Sequence, residues 1–406
     1  MYLLITESPA KAKKIQGFLG SDYKVSSSCG HIRDLDKKKL SIDVDHDFKP
    51  IYKNLPDKRE IIHSLKSLSK GKQVLLAADD DREGEAIAWH CGNVLGVKIK
   101  DKNRITYREI SKSAILQALK QPREINMCEV NAQQARRIID RLIGFKLSPC
   151  LWKHIQTKEK GLSAGRVQSA LLSLLDKRDK KIETYEPEIS LTIHSDFEDL
   201  ENNCEFIFQG SYEINDEFIK LLLTLFSKDR TFTIFDHSKT KEKSYPKKPF
   251  ITSTLQQSAQ NELGFSVSMT MEIAQKLYEG GHITYMRTDS MFISDEFSKK
   301  VKKFVGDNFN SSDYCKPGAK KVKGAQEAHE AIRVTSLTKP DDLEPIEMKL
   351  YNLIYDRTVT SHMKPCEYLM YKVRVTNKDI QDDGYFTVSH KRLMYPGYKI
   401  YYDKSL

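Results

Sequence analysis

The stretch Gly280-Gly281-His282-Ile283-Thr284-Tyr285-Met286-Arg287-Thr288-Asp289-Ser290 puts a tyrosine two residues before an arginine and four before an aspartate, just after a Gly-Gly break. An ordinary phenol, with a pKa of about 10, is a poor nucleophile near neutral pH. It attacks only where something assists its deprotonation and a cation faces the developing charge. Arg287 can supply that cation, because guanidinium grips phosphate oxygens with a bidentate fork. Read alone, the segment is equally a short strand: Tyr285 is one of 19 tyrosines, and Ile283 and Thr284 are β-branched.

A second chemical stretch is Asp79-Asp80-Asp81-Arg82-Glu83-Gly84-Glu85, with five carboxylates in seven residues. Such crowding shifts pKa values upward unless a cation is present. A hard divalent ion such as Mg²⁺ suits it, being a carboxylate-oxygen binder that keeps waters for phosphate. If the preceding strand continues through the turn, Asp79, Asp81 and Glu83 share one side at alternate positions. Acids at a helix N-terminus are also favoured by the macrodipole, which accounts for one or two of them.

The elements that must position these groups are legible. Gln73-Val74-Leu75-Leu76-Ala77-Ala78 reads as a buried strand, and Ala86 to His90 opens a helix. Tyr2 to Thr6 reads as another buried parallel strand. Ser8 then caps a helix that starts at Pro9 and closes at Gly20. Glu7 therefore stands at the carboxyl end of a strand, where open α/β sheets hold ligands. Lys11 lies in the first turn beyond it, either at the site or in solvent. Cys29-Gly30-His31-Ile32-Arg33-Asp34-Leu35 forms a glycine turn whose His31 either touches a phosphate or caps the turn.

From Asn131 a helix sets Ala132, Ala135, Ile138, Ile139, Leu142 and Ile143 on one face. Gln133, Arg137, Asp140 and Arg141 lie on the other, followed by Phe145. That face is either a salt-bridged surface or a seat for a phosphate chain and a stacked base. In Gly161-Leu162-Ser163-Ala164-Gly165-Arg166-Val167-Gln168-Ser169, Ser163 caps the next helix, which runs to about Asp179. Arg166 and Gln168 sit near its phosphate-attracting N-terminus.

With 406 residues, the chain has room for two to four domains. Hydrophobic residues at 39% and charged residues at 30% mark a folded, soluble protein. No apolar run spans a membrane, and the N-terminus is a strand opening rather than a signal peptide. A net charge of +10 favours a polyanionic partner. The seven cysteines are scattered and form no CxxC pair, which argues against zinc ribbons and disulfides and for the cytoplasm.

These segments, in this order, resemble the type IA DNA topoisomerases, the bacterial topoisomerase I branch in particular. The resemblance runs from Ile5-Thr6-Glu7-Ser8-Pro9-Ala10-Lys11 through Gly30 to Leu35, Asp79 to His90, Ala132 to Arg141, and Gly161 to Ser169. It continues through Pro249 to Gln257, Gly280 to Ser290, and Ala325-Gln326-Glu327-Ala328-His329-Glu330-Ala331-Ile332-Arg333. It implies an α/β plus α and β architecture, with a parallel-sheet N-terminal Toprim domain and helical and β-arch domains forming a toroidal clamp. The expected division is 1–125 (Toprim), 126–186 (helical single-strand binding), 187–249 with 366–406 (β-rich arch) and 250–365 (helical, carrying the tyrosine).

By the same resemblance Tyr285 bonds to the 5′ phosphate of one DNA strand and Arg287 stabilises that phosphate. Glu7 acts as acid toward the leaving 3′ oxygen, Lys11 lies near the scissile phosphate, and His329 is close by. Glu7, Asp79, Asp81 and Glu83 handle Mg²⁺. His31, Arg33, Arg137, Asp140, Arg141, Arg166 and Gln168 hold the strand. The expected partners are single-stranded and negatively supercoiled DNA. No nucleotide cofactor is expected, in keeping with the lack of a GxxxxGK[ST] loop.

Asp80 departs from the family's usual proline or alanine, Met291-Phe292 from a polar pair with arginine, and Val334 from proline. The family also continues beyond Tyr401-Tyr402 with a segment completing the strand-binding domain, and often with zinc ribbons. The expectation is a monomer, or a fragment completed by that segment or a second chain. A Toprim nuclease or primase would leave residues 250–335 without a role. A non-catalytic single-strand-binding subunit is the other alternative.

In the second half, Ile189 to Ile193, Thr231 to Phe235 and Tyr368 to Tyr402 read as arch strands. Lys239 to Pro249 reads as a basic linker, Lys316 to Gly324 as a basic loop, and 251–279 and 345–363 as helices.

Overall fold

The computed structural model describes residues 1–155, 161–187, 193–198, 203–210, 217, 219–220, 231–310, 313–315, 317, 329–378, 384–403 and 405. Residues 189–192 of the first β-like run and 316 and 318–324 of the basic loop lie outside them. Two compact units are present. One comprises Met1–Glu183, Lys248–Val301 and Pro317–Thr358, the other Thr184–Lys247, Lys302–Lys316 and Val359–Leu406.

The strands of the first unit are β1 (Tyr2–Thr6), β2 (Tyr23–Ser27), β3 (Arg33–Leu35), β4 (Ile42–Asp43), β5 (Lys49–Pro50), β6 (Tyr52–Asn54) and β7 (Gln73–Leu76). β1 is central in a parallel sheet of order β2-β1-β7, with Leu4 facing Val25 on one side and Leu75 on the other. Parallel neighbours on both edges explain why it reads as an unbroken apolar run. β3 pairs with β6 and β4 with β5 as small antiparallel ribbons. Leu3, Ile5, Ile32, Leu65, Leu76, Ile87 and Val130 form the core.

The helices of this unit are α1 (Pro9–Gln16), α2 (Arg59–Ser69), α3 (Arg82–Leu95), α4 (Lys112–Lys120), α5 (Met127–His154), α6 (Arg166–Glu183), α7 (Thr252–Leu263) and α8 (Val267–Glu279). Ser8 caps α1 as its sequence predicts, accepting from the Lys11 amide. The helix ends at Gln16 rather than Gly20: Phe18 and Leu19 already bond three residues back, to Ile15 and Gln16. α3 starts at Arg82, four residues before Ala86, and β7 stops at Leu76. Glu83 is therefore helical, and the alternating-strand geometry for Asp79, Asp81 and Glu83 does not form. Residues 251–279 are two helices, because Gly264 adopts a left-handed φ of 70° at the end of α7.

On α5 the expected faces are partly reversed. Ala132, Ala135 and Ile139 are exposed, while Gln133 is buried. The polar face is the one that packs, because it walls a charged cavity. α6 begins at Arg166, with the Gly165 carbonyl accepting its first bond, so Gly165 rather than Ser163 occupies the cap.

The second unit holds β8 (His194–Glu198), β9 (Asn203–Gly210), β10 (Thr233–Ser244), β11 (Cys366–Thr376) and β12 (Gly384–Tyr395), in antiparallel order β10-β11-β12-β9-β8. Lys239 to Ser244, expected as linker, belongs to β10 and pairs with β11. Its lysines are exposed on the strand, and the linker begins only at Tyr245-Pro246, where proline cannot donate to the ladder. Helix α9 (Asp295–Asn308) precedes residue 313, and α10 (Pro345–Thr360) ends three residues short of the expected 363.

Candidate active site

The acidic turn after β7 is built by buried partners. Asp81 caps α3, accepting from the Gly84 amide at 2.7 Å. A Cβ at Gly84 would overlap the Asp79 carbonyl oxygen, so only glycine lets the helix start this close to the turn. Arg104, fully buried, donates to the carbonyls of Ala78 and Asp79 at 2.6 Å each. Glu85 neutralises Arg104 at 2.8 Å and also takes Arg123 at 2.8 Å. Glu85 is thus structural, and Asp80 faces Arg123 at 3.5 Å.

Three acids remain near one another. Glu7 accepts from the Asp79 amide at 2.8 Å. Lys11, 1% exposed, grips both Asp79 carboxylate oxygens at 2.7 Å. Of the two readings for Lys11, the buried one holds. Burial, reinforced by the Asp79 charge, pushes the Glu7 carboxyl up to about 7 despite the Lys11 charge.

The tyrosine segment meets this turn from the other side. Gly281 has φ 76°, and a Cβ there would stand 2.6 Å from the Ile110 carbonyl. The following residues are irregular rather than a strand, joined to a neighbour only by the bridge of Ile283 with Val334. The Thr284 amide makes that bridge by bonding the Arg333 carbonyl at 2.9 Å, and the Tyr285 amide turns away to the Arg108 carbonyl at 3.2 Å.

Tyr285, 7% exposed, donates its hydroxyl hydrogen bond to Asp81. Its ring meets Tyr278 edge-on at 5.2 Å and His329 at 5.5 Å. Burial first, then the Asp81 and Asp79 charges, raise the Tyr285 pKa well above that of a free phenol, and Arg287 opposes them. Arg287 itself is exposed. His329 pairs through Nε2 with the Asp80 carbonyl and keeps a buried Nδ1 with no partner among the described residues. The space beside Tyr285 is about 10 Å³, room for about one water.

Tyr278 is not legible in the sequence as a site residue. Its helical spacing marks it as core, yet its hydroxyl bonds Asp79 at 3.1 Å and its ring lies 5.0 Å from the Lys11 ammonium. Only the tertiary contact distinguishes it from a packing residue.

Glu83 faces a different cavity, of about 300 Å³. There it accepts from His31 Nε2 at 3.2 Å and Gln133 Nε2 at 3.1 Å, and the His31 bond, outweighing burial, lowers its pKa. His31 thus points its Nε2 at Glu83 on the cavity wall. Arg33, Arg137 and Asp140 line the same cavity. Arg137 pairs with Asp34 at 2.5 Å and Arg166 with Asp140 at 3.0 Å. Arg141 bonds the Asp36 carbonyl at 2.9 Å and lies 4.9 Å from the Phe145 ring centre. Gln168 is exposed on α6.

A parallel sheet ending in carboxylates, with a buried tyrosine hydroxyl bonded to one of them, is an arrangement of the kind that phosphoryl transfer uses. The sequence profile of a family described as "DNA topoisomerase" matches residues 124–406, and that of the Toprim domain matches residues 2–112. The chain belongs to the type IA DNA topoisomerase family. It is 44% identical to the protein named DNA topoisomerase 1 of Campylobacter jejuni, over 99% of this chain and 60% of that protein. It spans less than two thirds of that relative's length. The full-length topoisomerase I of Thermotoga maritima superposes with a TM-score of 0.85 at 37% identity, covering 99% of this chain and 67% of that one.

The Toprim domain points to a divalent metal. The donors fit in kind: Glu7, Asp79 and Asp81 are oxygen ligands, and burial first, then the Asp79 and Asp81 charges, raises the Glu7 pKa. A hard ion needs only one or two carboxylates if it keeps its waters. Among the described residues, no three His, Cys, Asp or Glu side chains cluster closely enough to cage an ion.

Proposed function

We propose that this chain is the catalytic part of an ATP-independent topoisomerase that cuts one DNA strand, passes another through the break and reseals it. Acting on negatively supercoiled DNA, it would relax it. The observation that carries this reading is the hydroxyl of Tyr285 bonded to Asp81, with the Lys11–Asp79 ion pair and Glu7 on the Asp79 amide alongside.

In this reading the Tyr285 oxygen attacks a backbone phosphorus, its proton passing to the Asp81 carboxylate. The bond from phosphorus to the 3′ oxygen breaks, and Glu7, protonated by virtue of its burial, gives that oxygen its proton. Arg287, exposed and in no ion pair among the described residues, takes the phosphate oxygens. Asp79 is held by Lys11 and Tyr278, so those residues fix the carboxylate geometry. Mg²⁺ would be held by Glu7, Asp79 and Asp81 and would supply neutralising charge to the acids and phosphate; Glu83, expected in that set, is turned instead to His31 and Gln133. Rejoining runs the same steps backwards and conserves the phosphodiester energy, so no nucleotide is consumed.

A space of about 10 Å³ at Tyr285 admits no phosphodiester. Strand binding therefore requires the tyrosine segment to move off the carboxylates. His31, Arg33, Arg137, Asp140, Arg141, Arg166 and Gln168 hold the single strand in this reading. The four-part division at residues 1–125, 126–186, 187–249 with 366–406, and 250–365 is the domain plan that goes with it. The enzyme acts as a monomer in the cytoplasm. Among the described residues no helix is long and apolar enough to cross a membrane.

The test is a cleavage assay on 5′- and 3′-labelled single-stranded DNA, read on a denaturing protein gel, with supercoiled plasmid alongside. Protein on the 5′ end of one product is the expected result. Tyr285→Phe abolishes that attachment while binding stays nearly intact. Nicked products with free ends would instead establish a nuclease.

A further inference from the structure

The tyrosine segment docks on three successive residues, Arg108, Glu109 and Ile110, on the chain that leaves the parallel bridge of Arg104 with Leu76. The Arg108 carbonyl takes the Tyr285 amide at 3.2 Å, and the Ile110 carbonyl closes on Gly281, where a Cβ would stand 2.6 Å away. Between these two backbone contacts Glu109 reaches across the same seam to Arg333, Oε2 to Nη2 at 3.0 Å. Arg333 belongs to the tyrosine's side. Its carbonyl takes the Thr284 amide at 2.9 Å, and its own amide donates to Thr284 Oγ1 at 2.9 Å. Moving the tyrosine segment off the carboxylates therefore carries Arg333 along and parts the ion pair.

The pair can part without stranding a charge. Three Arg333 contacts stay on its own side: Nε on Glu330 at 2.8 Å, Nη1 on the Val334 carbonyl at 3.1 Å, and the guanidinium 3.9 Å from the Phe297 ring centre. A buried arginine with none of these would be left uncompensated on opening. Glu109, its side chain 21% exposed, lines a cavity of about 540 Å³ together with Arg333, Glu330, Ser113 and Gln117. Water in that cavity can solvate the carboxylate once it is released. Cutting the strand also weakens a neighbouring contact. As a phosphate ester, the Tyr285 oxygen has no hydrogen left to donate to Asp81. The contacts that still cross the seam then include Tyr278 on Asp79 at 3.1 Å and the Arg333–Glu109 pair.

We propose that Arg333 and Glu109 are positioning residues: their ion pair latches the tyrosine segment onto the acidic turn and sets how long the cut strand stays in register for resealing. Arg333 keeps one prong of its fork for this contact and anchors the rest on the moving side, so the latch releases and re-forms as a unit with Tyr285. The inference rests on the strand-cutting function proposed above and deepens it.

The test is amide hydrogen exchange on the whole chain without DNA. The Tyr285 amide reports on the seam, because its bond to the Arg108 carbonyl breaks when the segment leaves. Glu109→Gln removes the charge but keeps an Oε1 to accept from Ser111 Oγ, as Glu109 does at 2.8 Å, so α4 stays capped. In that variant exchange at Tyr285 should quicken about tenfold, with the Leu3 to Ile5 amides of β1 unchanged. Glu109→Asp, which holds the charge at a shorter reach, should show a smaller rise. On labelled single-stranded DNA, Glu109→Gln should accumulate more covalently attached protein than the parent, because resealing waits for the segment to return. Unchanged exchange at Tyr285 in both variants would overturn the proposal. So would a rise that β1 shares, since that is the mark of a pair serving the fold alone. If exchange rises at Tyr285 and the parent never attaches to DNA, the latch stands and the topoisomerase reading fails. If the parent attaches and exchange is unaltered in both variants, only the latch fails.

Discussion

Glu7 carries the clearest pH signature of any single residue. Its carboxyl, ordinarily near 4.5, is raised to about 7 by burial and by Asp79. A raised acid binds more protons folded than unfolded, so its contribution to stability is full below about 4.5 and lost as pH rises through about 7. The same proton serves the leaving 3′ oxygen in the proposed reaction, so cleavage should fall as pH passes about 7. Glu7→Gln is expected to cut the cleavage rate by about 10²–10⁴ and to flatten the pH dependence of unfolding across that window. Rate and denaturant midpoint, each followed against pH, check both halves. An unchanged cleavage profile in the variant would remove Glu7 from the acid role.

At the scale of the element, glycines separate sites that need them from sites that merely contain them. Gly84 lies in the first turn of α3, with the Asp79 carbonyl where its side chain would be. Alanine would be about 1 kcal/mol better in an ordinary helix; here Gly84→Ala must displace the acidic turn. It should lower the thermal midpoint and abolish covalent attachment. Gly144, inside α5, has no described atom within 4 Å of the place a methyl would occupy. Gly144→Ala should instead stabilise by about 0.5–1 kcal/mol with attachment unchanged. Paired melting curves and the attachment gel decide it. The start of α1 is readable in Ser8-Pro9 because capping is local. The length of β10 and the packed face of α5 are not, because each depends on what a distant segment places opposite.

Across the first unit, one buried arginine joins segments far apart in sequence. Arg333, with its side chain 4% exposed, bonds Glu330 at 2.8 Å and Glu109 at 3.0 Å. Glu330 is itself buried. Removing the cation would leave that carboxylate uncompensated, so Arg333→Met should destabilise by about 3–5 kcal/mol. Urea denaturation measures it, and a change below about 1 kcal/mol would mean that the pair is not desolvated. The double variant Arg333→Met with Glu330→Gln should recover part of the loss, since the penalty lies in the orphaned charge.

The sequence by itself determined which residue types are available for chemistry and their order along the chain. Tyr285 before Arg287, the acids after a buried strand and the arginines of α5 are identities at fixed local spacing, and local spacing needs no tertiary knowledge. Tertiary structure alone decided which acids meet the tyrosine. Asp79 and Asp81 turn toward Tyr278 and Tyr285, Glu83 toward His31 and Gln133, and Glu85 inward to Arg104. The physical reason is that α3 begins within the acidic run. A helix sends successive side chains about 100° apart, whereas a continued strand would have aligned alternate ones.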